Sequence, residues 1–455
     1  MRAAPSRTET FARWAGWLAL YIMALSVDLS TTGFSAAAIL VVIASVPLAG
    51  TIWRDLRGLP AFWLVTALTI YVVVQSQVLA SYHPVMHESS NPHWSHVLRV
   101  SGLFSLLVGW WLFQYRRDIP WLLVFVALGL FANRLLSIDY PMLLEEPFAR
   151  RELWGRVPTR VGFASAAGLV ICFATLLTQR TRKQGSGLDV WFHRAAISAG
   201  VLGFLGFLVV LYGTQSRGAW FSALVACAFL LTVVLARGAR TRRSVFPAAA
   251  GGTLLALGFA VIVSLGAGEV MEERFGKTSE VLDAIMALDE EALLEADRAL
   301  GLRANMWIAA LEAMRDRPWF GYGSGSKPVL AQRSDLEFGS STGHLHNIYV
   351  DIAYSLGMVG LLGFALAYGV LFRGFLRAWR LKYVPDGVAL VTAGFWVMAL
   401  FTLLTDVLIG HASSRALLTF MLAVTCYGVL AMHRSQPHCE PGGMDQKTGP
   451  VAQRE

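Results

Sequence analysis

Two histidines and an asparagine, in the run His344-Leu345-His346-Asn347, stand where the one long polar stretch of the chain (268–346) meets an apolar run. One imidazole there suffices for general-base chemistry, because its ordinary pKa lies near working pH. Two residues apart, His344 and His346 share a face only in an extended segment. A helical metal-binding pair is spaced by three or four instead. Zinc would also need a third ligand, and no carboxylate or cysteine is placed to supply it. The plainer alternative is structural: histidines at a membrane interface, with Asn347 as the N-cap of the following helix.

The second group of chemically capable residues is cationic. Ser216-Arg217-Gly218 lies between two apolar runs. Arginines at a membrane edge are costly and tend to face a cavity or an anion. A guanidinium suits phosphate because it is always charged and presents a planar fork of donors. The alternative for Arg217 is snorkelling to lipid headgroups. Arg150, Arg151, Arg156 and Arg160 crowd a second connection. Glu145, Glu146 and Glu152 neutralise part of that charge, yet the cluster still suggests an anion site. Arg134 extends the same positive field.

These residues must be positioned by helices. The chain has 455 residues, 55% hydrophobic and only 15% charged, whereas soluble domains carry about 25% charged residues. Apolar runs of about 20 residues recur, each long enough to cross a bilayer core as a helix. The alternating segments of about 10 residues that mark a β-barrel do not occur. The expected fold is all-α and polytopic, with twelve spans near 13–29, 33–53, 61–81, 97–115, 119–137, 161–179, 195–215, 218–236, 246–267, 347–372, 387–409 and 413–432. Every second connection is basic: Arg54 and Arg57, Arg116 and Arg117, then Arg180 to Arg194, Arg237 to Arg243, and Arg373 to Lys382. The positive-inside rule puts these, and both termini, in the cytoplasm. Basic residues precede the first run without a small-residue cleavage site, so that run reads as a retained span.

Residues 1–267 then hold nine spans, 268–346 an external loop, 347–432 three spans and 433–455 a disordered cytoplasmic tail. The external loop carries 8 Lys/Arg against 14 Asp/Glu, while the whole chain is at +8. The positive charge therefore reports topology and anionic lipid, and a nucleic-acid partner is disfavoured. A polar, His-rich connection (82–96) faces the same outer side. Within the loop, 278–300 patterns as an acidic amphipathic helix with Val281, Ile285 and Met286 on its apolar face. A second helix is expected over 302–316, aligning Leu302, Met306 and Ala310, ended by Pro318 and the glycine run Gly321, Gly323 and Gly325. Cys172, Cys227, Cys426 and Cys439 offer neither a disulfide framework nor metal spacing.

The order of these motifs resembles the O-antigen ligase/polymerase family of bacterial membrane glycosyltransferases. The resemblance rests on Ser216-Arg217-Gly218 opening a span and on Arg303 to Trp307 (RANMW) followed by Pro318 and the glycine run. It also rests on His346-Asn347-Ile348-Tyr349 entering a span with Gly357 and Gly360, and on the large loop before it. It implies a GT-C type fold and a donor glycan on undecaprenyl pyrophosphate at the periplasmic face of the inner membrane. In the ligase branch the acceptor is a lipid A–core sugar hydroxyl, and neither metal, nucleotide nor other cofactor is needed. His346 would then be the base, with His344 as runner-up or orienter. Arg217 would meet the pyrophosphate, aided by Arg150, Arg151, Arg156 or Arg160. Arg303 would bind a donor or core phosphate, or else pair with an acidic loop residue, and Asn347 would stand beside the substrate. The sister polymerase, a protein O-oligosaccharyltransferase and, in a different class, a transporter of lipid-linked glycan are the alternatives. A transporter would show matched broken spans in inverted repeats, and no clear pair stands out.

Overall fold

A computed structural model describes residues 6–82, 102–141, 158–179, 187–241, 246–262, 278–287, 289, 291–292, 295, 298–323, 330 and 345–435. The helices in chain order begin with α1 (Arg7–Leu29), α2 (Thr31–Ser45), α3 (Ala49–Arg57), α4 (Pro60–Tyr82), α5 (Leu103–Gln114), α6 (Ile119–Ser137), α7 (Pro158–Thr178) and α8 (Gly187–Gly213). They continue with α9 (Arg217–Thr241), α10 (Phe246–Ile262), α11 (Thr278–Ala287), α12 (Arg298–Met314), α13 (Ile348–Arg380), α14 (Asp386–Thr402) and α15 (Ala412–Ser435). Among the described residues there is no strand.

Among the described residues each of the twelve apolar runs contains helix, but in the eleventh, expected over 387–409, the α-helix ends at Thr402 and a connection follows. The second is α2 and α3 joined by a 3-10 turn at Val46–Leu48, where Pro47 removes a backbone donor. Among the described residues eight helical stretches are long and apolar enough to cross a membrane. The stretch Pro60–Gln75 of α4, together with α5 and α14, is apolar but shorter. The protein is a polytopic all-α membrane protein. Large apolar side chains such as Trp14, Ile43, Trp63, Leu202, Leu224 and Leu362 are exposed around the bundle. In water such a surface would aggregate, whereas in a bilayer it meets hydrocarbon.

Two helices form the centre. The apolar window of α7 is 83% buried and that of α15 is 89% buried. Lipid gives apolar side chains no reason to leave it, so helices associate where small residues let backbones approach. In α7 the run Gly162-Phe163-Ala164-Ser165-Ala166-Ala167-Gly168 supplies such a surface, and Phe207 of α8 lies directly over Gly168. Gly109 of α5 likewise sits against Cys426 and Ala423 of α15.

The helix ends sort into two groups. At one end, Tyr115 donates to the Arg13 carbonyl, Arg434 pairs with Asp55, and Arg237 and Lys382 both reach Asp386. The basic connections that the structure describes gather there. At the opposite end lie the last turns of α1, α6 and α14 and the first turns of α7, α9, α13 and α15. There Asn133 and Arg134 of α6 both donate to the Asp28 carboxylate of α1, with Arg134 and Asp28 buried. Arg134 is thus paired inside the bundle and does not extend an open positive field. Breaking such a pair would leave a buried charge alone, so its role is structural.

α13 is one helix by its hydrogen bonds but is broken at Gly357, whose φ of 67° and ψ of −174° are non-helical. The broken segment is filled by the chain after α12. Tyr322 and Gly323 N–H groups donate to the Tyr354 and Ser355 carbonyls, and Met358 and Val359 N–H groups donate to Pro318 and Trp319. From α4, Tyr71 donates to the Leu356 carbonyl and Gln75 to that of Ser355. Backbone groups freed by a break in a membrane helix must find partners, and here the loop and α4 supply them. A side chain at Gly357 would collide with the Trp319 backbone. The Pro318–Gly323 segment, expected to end a helix, is therefore a plug.

The loop helices also differ in detail from the sequence pattern. α12 begins four residues earlier than expected and leaves Leu302 at the surface, while Met306 and Ala310 pack with Tyr322, Leu345 and Tyr354. α11 buries Val281 and Ala284 against Ala304 but exposes Met286. The His-rich residues 83–96 and the tail from 436 lie outside the described residues, and α15 runs on through Ser435.

Candidate active site

His346 has a positive φ of 51°, uncommon for a residue with a Cβ, although histidine visits that region more readily than most. Its neighbours hold it there. Trp307 of α12 donates from Nε1 to the Leu345 carbonyl at 2.7 Å, and the Leu345 N–H donates to Asp351 Oδ2 at 3.3 Å. Asn347 caps α13, its Oδ1 accepting from Tyr349 and Val350 N–H groups. The Ile348 N–H donates to the Leu403 carbonyl at 3.0 Å. The side-chain oxygen of Asn347 thus serves the helix start, the structural alternative raised by the sequence.

So fixed, the imidazole of His346 lies beside Asp406. Nδ1 is 3.6 Å from Oδ1, with the histidine 23% and the aspartate 4% exposed. That spacing is a charge contact, longer than a hydrogen bond. Asp406 is itself oriented: its Oδ1 accepts from the Val407 N–H at 2.8 Å and its own N–H donates to Thr402. A carboxylate beside one imidazole nitrogen fixes the ring's orientation.

A 3-10 turn at Leu408–Gly410 leads from Asp406 to His411. Burial pushes the His411 imidazole down to about 4; the Arg160 guanidinium presses it the same way, the Asp406 carboxylate opposes, and Arg415 and His346 add smaller downward pushes. His411 is therefore uncharged at neutral pH. The same interactions put two imidazoles, one carboxylate and the Arg160 and Arg415 guanidiniums in one electrostatic neighbourhood.

Arg217 opens α9 next to this group. The turn Thr214–Ser216 packs on Gly162 of α7, one turn inside the helix start that carries Arg160. Gly218 lies directly against Thr405, and Thr402 donates to Ser222 at 2.9 Å. The connection 403–411 is the hub: Arg160 and Arg217 start helices on one flank, and His346 enters through Leu403 on another. Arg303 is half-buried on α12, one turn before Trp307. His344, Arg150, Arg151 and Arg156 lie outside the described residues. Among the described residues, no three His, Cys, Asp or Glu side chains come together to hold a metal ion.

Asp406, His411 and Arg415 were not singled out from the sequence. The expected eleventh span ran through 409, which placed an aspartate inside it. An ionisable residue within a span was itself the missed signal.

Chemically, the site offers an imidazole with a carboxylate beside it, near several fixed cations at one end of the bundle. Such a set can take a proton from a hydroxyl while steadying an anionic leaving group. A family model described as O-Antigen ligase matches residues 201–365, a stretch holding Arg217, Arg303, His344 and His346. An O-antigen ligase of Pseudomonas aeruginosa is similar at 24% identity over 281 residues, 60% of this chain and 61% of that relative. The two matches support assignment of this chain to the O-antigen ligase family. Arg160, Asp406, His411 and Arg415 lie outside the family-matched residues.

Proposed function

We propose that this protein transfers a glycan from undecaprenyl pyrophosphate to a sugar hydroxyl of lipid A–core, completing lipopolysaccharide. The reaction takes place at the periplasmic face of the bacterial inner membrane. In this reading the chain crosses the membrane twelve times in a GT-C type arrangement, with both termini cytoplasmic. The described basic connections gather at the end opposite His346, which by the positive-inside rule supports a periplasmic site. The observation that carries the proposal is His346, strained into a left-handed backbone beside buried Asp406, at the hub where Arg160, Arg217 and Arg415 begin their helices.

His346 takes the proton of the acceptor hydroxyl, and Asp406 steadies the imidazolium that results. The freed oxygen attacks the anomeric carbon as the bond to the pyrophosphate oxygen breaks. The electron pair leaves on undecaprenyl pyrophosphate, whose growing charge Arg217 and Arg160 meet without proton transfer. Arg303, and Arg150, Arg151 and Arg156 from their connection, add phosphate contacts, while His344 orients the acceptor or the base. Direct displacement inverts the anomeric configuration. The step itself uses neither nucleotide nor metal.

Reconstituted protein given a lipid-linked glycan and three acceptors in separate reactions tests the reading. Transfer to lipid A–core alone is expected. Transfer only to a second lipid-linked glycan would make the protein a polymerase, and transfer only to a polypeptide would make it a protein glycosyltransferase.

A further inference from the structure

Among the described residues, three other than glycine have a positive φ: Gln215 at 48°, His346 at 51° and Lys382 at 66°. A side chain costs energy in that region which glycine avoids, and such outliers point to function when the side chain has a use. Lys382 follows the end of α13 and pairs with Asp386 at 2.9 Å, at the end of the bundle away from the hub. His346 is the base of the proposed reaction. Gln215 has no part in that reaction, yet it stands two residues before Arg217.

The turn that holds Gln215 is braced by its neighbours. Thr214 Oγ1 donates to the Leu211 carbonyl at 2.7 Å and accepts from the Ser216 N–H at 3.3 Å. Trp220 Nε1 donates to the same carbonyl at 2.7 Å, and its ring stacks on that of Tyr212 at 5.8 Å. The Gln215 N–H donates to the Tyr212 carbonyl at 3.0 Å. A residue so placed just past a helix end is most often glycine. Tyr212, Gly213, Thr214 and Ser216 are buried, whereas Gln215 and Arg217 are half-buried. Gly218 lies directly against Thr405, the residue before Asp406. The turn thus sets an amide and a guanidinium close together, next to the connection that carries the carboxylate of the site.

In the proposed displacement the acceptor oxygen arrives opposite the leaving diphosphate, so His346 and Arg217 flank the anomeric carbon. The ring substituent nearest the leaving oxygen is the one on C2. A glutamine amide both donates and accepts hydrogen bonds, and so does a hydroxyl or an acylamino group at C2. Hydrogen bonds to that position strengthen as the ring gains oxocarbenium character. We infer that Gln215 hydrogen-bonds the C2 substituent of the donor's reacting sugar and so selects which sugar is transferred. The inference rests on the transferase reading above and deepens it.

Gln215→Gly removes the amide and keeps the backbone, because glycine takes a positive φ freely. Gln215→Asn shortens the amide and tolerates the same region. Both variants and wild type are assayed in reconstituted vesicles with three lipid-linked donors that differ only at C2 of the reacting sugar: hydroxyl, acetamido or fluorine. Fluorine donates no hydrogen bond and accepts poorly. Its own effect on reactivity cancels when each variant is compared with wild type on the same donor. On whichever of the first two donors wild type prefers, Gln215→Gly is expected to lower kcat/KM about tenfold, the range of one hydrogen bond. On the fluoro donor the loss should stay below about twofold, with Gln215→Asn intermediate on the preferred donor and the acceptor KM unchanged. The unfolding midpoint of Gln215→Gly should be no lower than that of wild type. Equal losses on all donors, or a lowered midpoint, give Gln215 to the diphosphate or to the turn itself and overturn the inference. A raised acceptor KM, or an unchanged kcat/KM on every donor, overturns it too. Wild-type protein that transfers from none of the donors sinks the transferase reading itself, a failure distinct from these.

Discussion

At the scale of single residues, His346 is held in place by hydrogen bonds on both sides. Its backbone strain, of order 1–3 kcal/mol, is overcome by the Trp307–Leu345 hydrogen bond, the Asn347 cap and the Ile348–Leu403 bond. In the proposed reaction Asp406 acts through that imidazole, 3.6 Å away. Asp406→Asn is expected to lower kcat about 100-fold, the range of general-base assistance, while leaving the donor KM within about twofold. A matched loss in KM would make Asp406 a substrate contact instead. His411 gives a pH signature. Its folded-state value of about 4 lies below the ordinary 6.5. Between those values the unfolded chain takes up a proton that the folded chain refuses, so stability falls as pH drops through that window. Thermal unfolding of His411→Gln between pH 4 and 6.5 should show a flatter pH dependence than wild type. Equal slopes would contradict the assignment.

At the scale of elements, the broken α13 and the plug that fills it decide where His346 stands. The first segment of α13 carries the Asn347 cap, and the plug joins it to α12 through stacked Tyr322 and Tyr354, 5.1 Å apart. Gly357→Ala must hold a positive φ and push the Trp319 backbone away. It should cost at least about 2 kcal/mol, read as a lower unfolding midpoint in detergent together with loss of activity. A fully stable, active Gly357→Ala protein would contradict the account of the break. The sequence marked Pro318 and Gly321 as punctuation and Gly357 only as a residue of the following span, and no local pattern pairs residues 318–323 with 354–359. That pairing is a long-range backbone exchange.

At the scale of the whole molecule, the helices were legible because apolar runs of membrane length leave the backbone little alternative to helix. The site was legible in part. His346, Arg217 and Arg160 declare themselves by type and place, since charge at a membrane edge is costly. Asp406 and His411 did not, because their meaning comes from neighbours distant in sequence. Arg134 misled for the same reason, since Asp28 lies over 100 positions away. The proposed orientation is checked by single cysteines in a cysteine-free background. A membrane-impermeant thiol reagent applied to intact spheroplasts should label Phe320→Cys, exposed at the plug, and spare Arg7→Cys at the start of α1. The reverse pattern would invert the molecule in the membrane. The most direct test of the central claim is glycan transfer by purified protein with lipid-linked donor, lipid A–core and a chelator, comparing wild type with His346→Ala. The account predicts product from wild type and none from the variant, which still binds donor. Product from His346→Ala at the wild-type rate would contradict it.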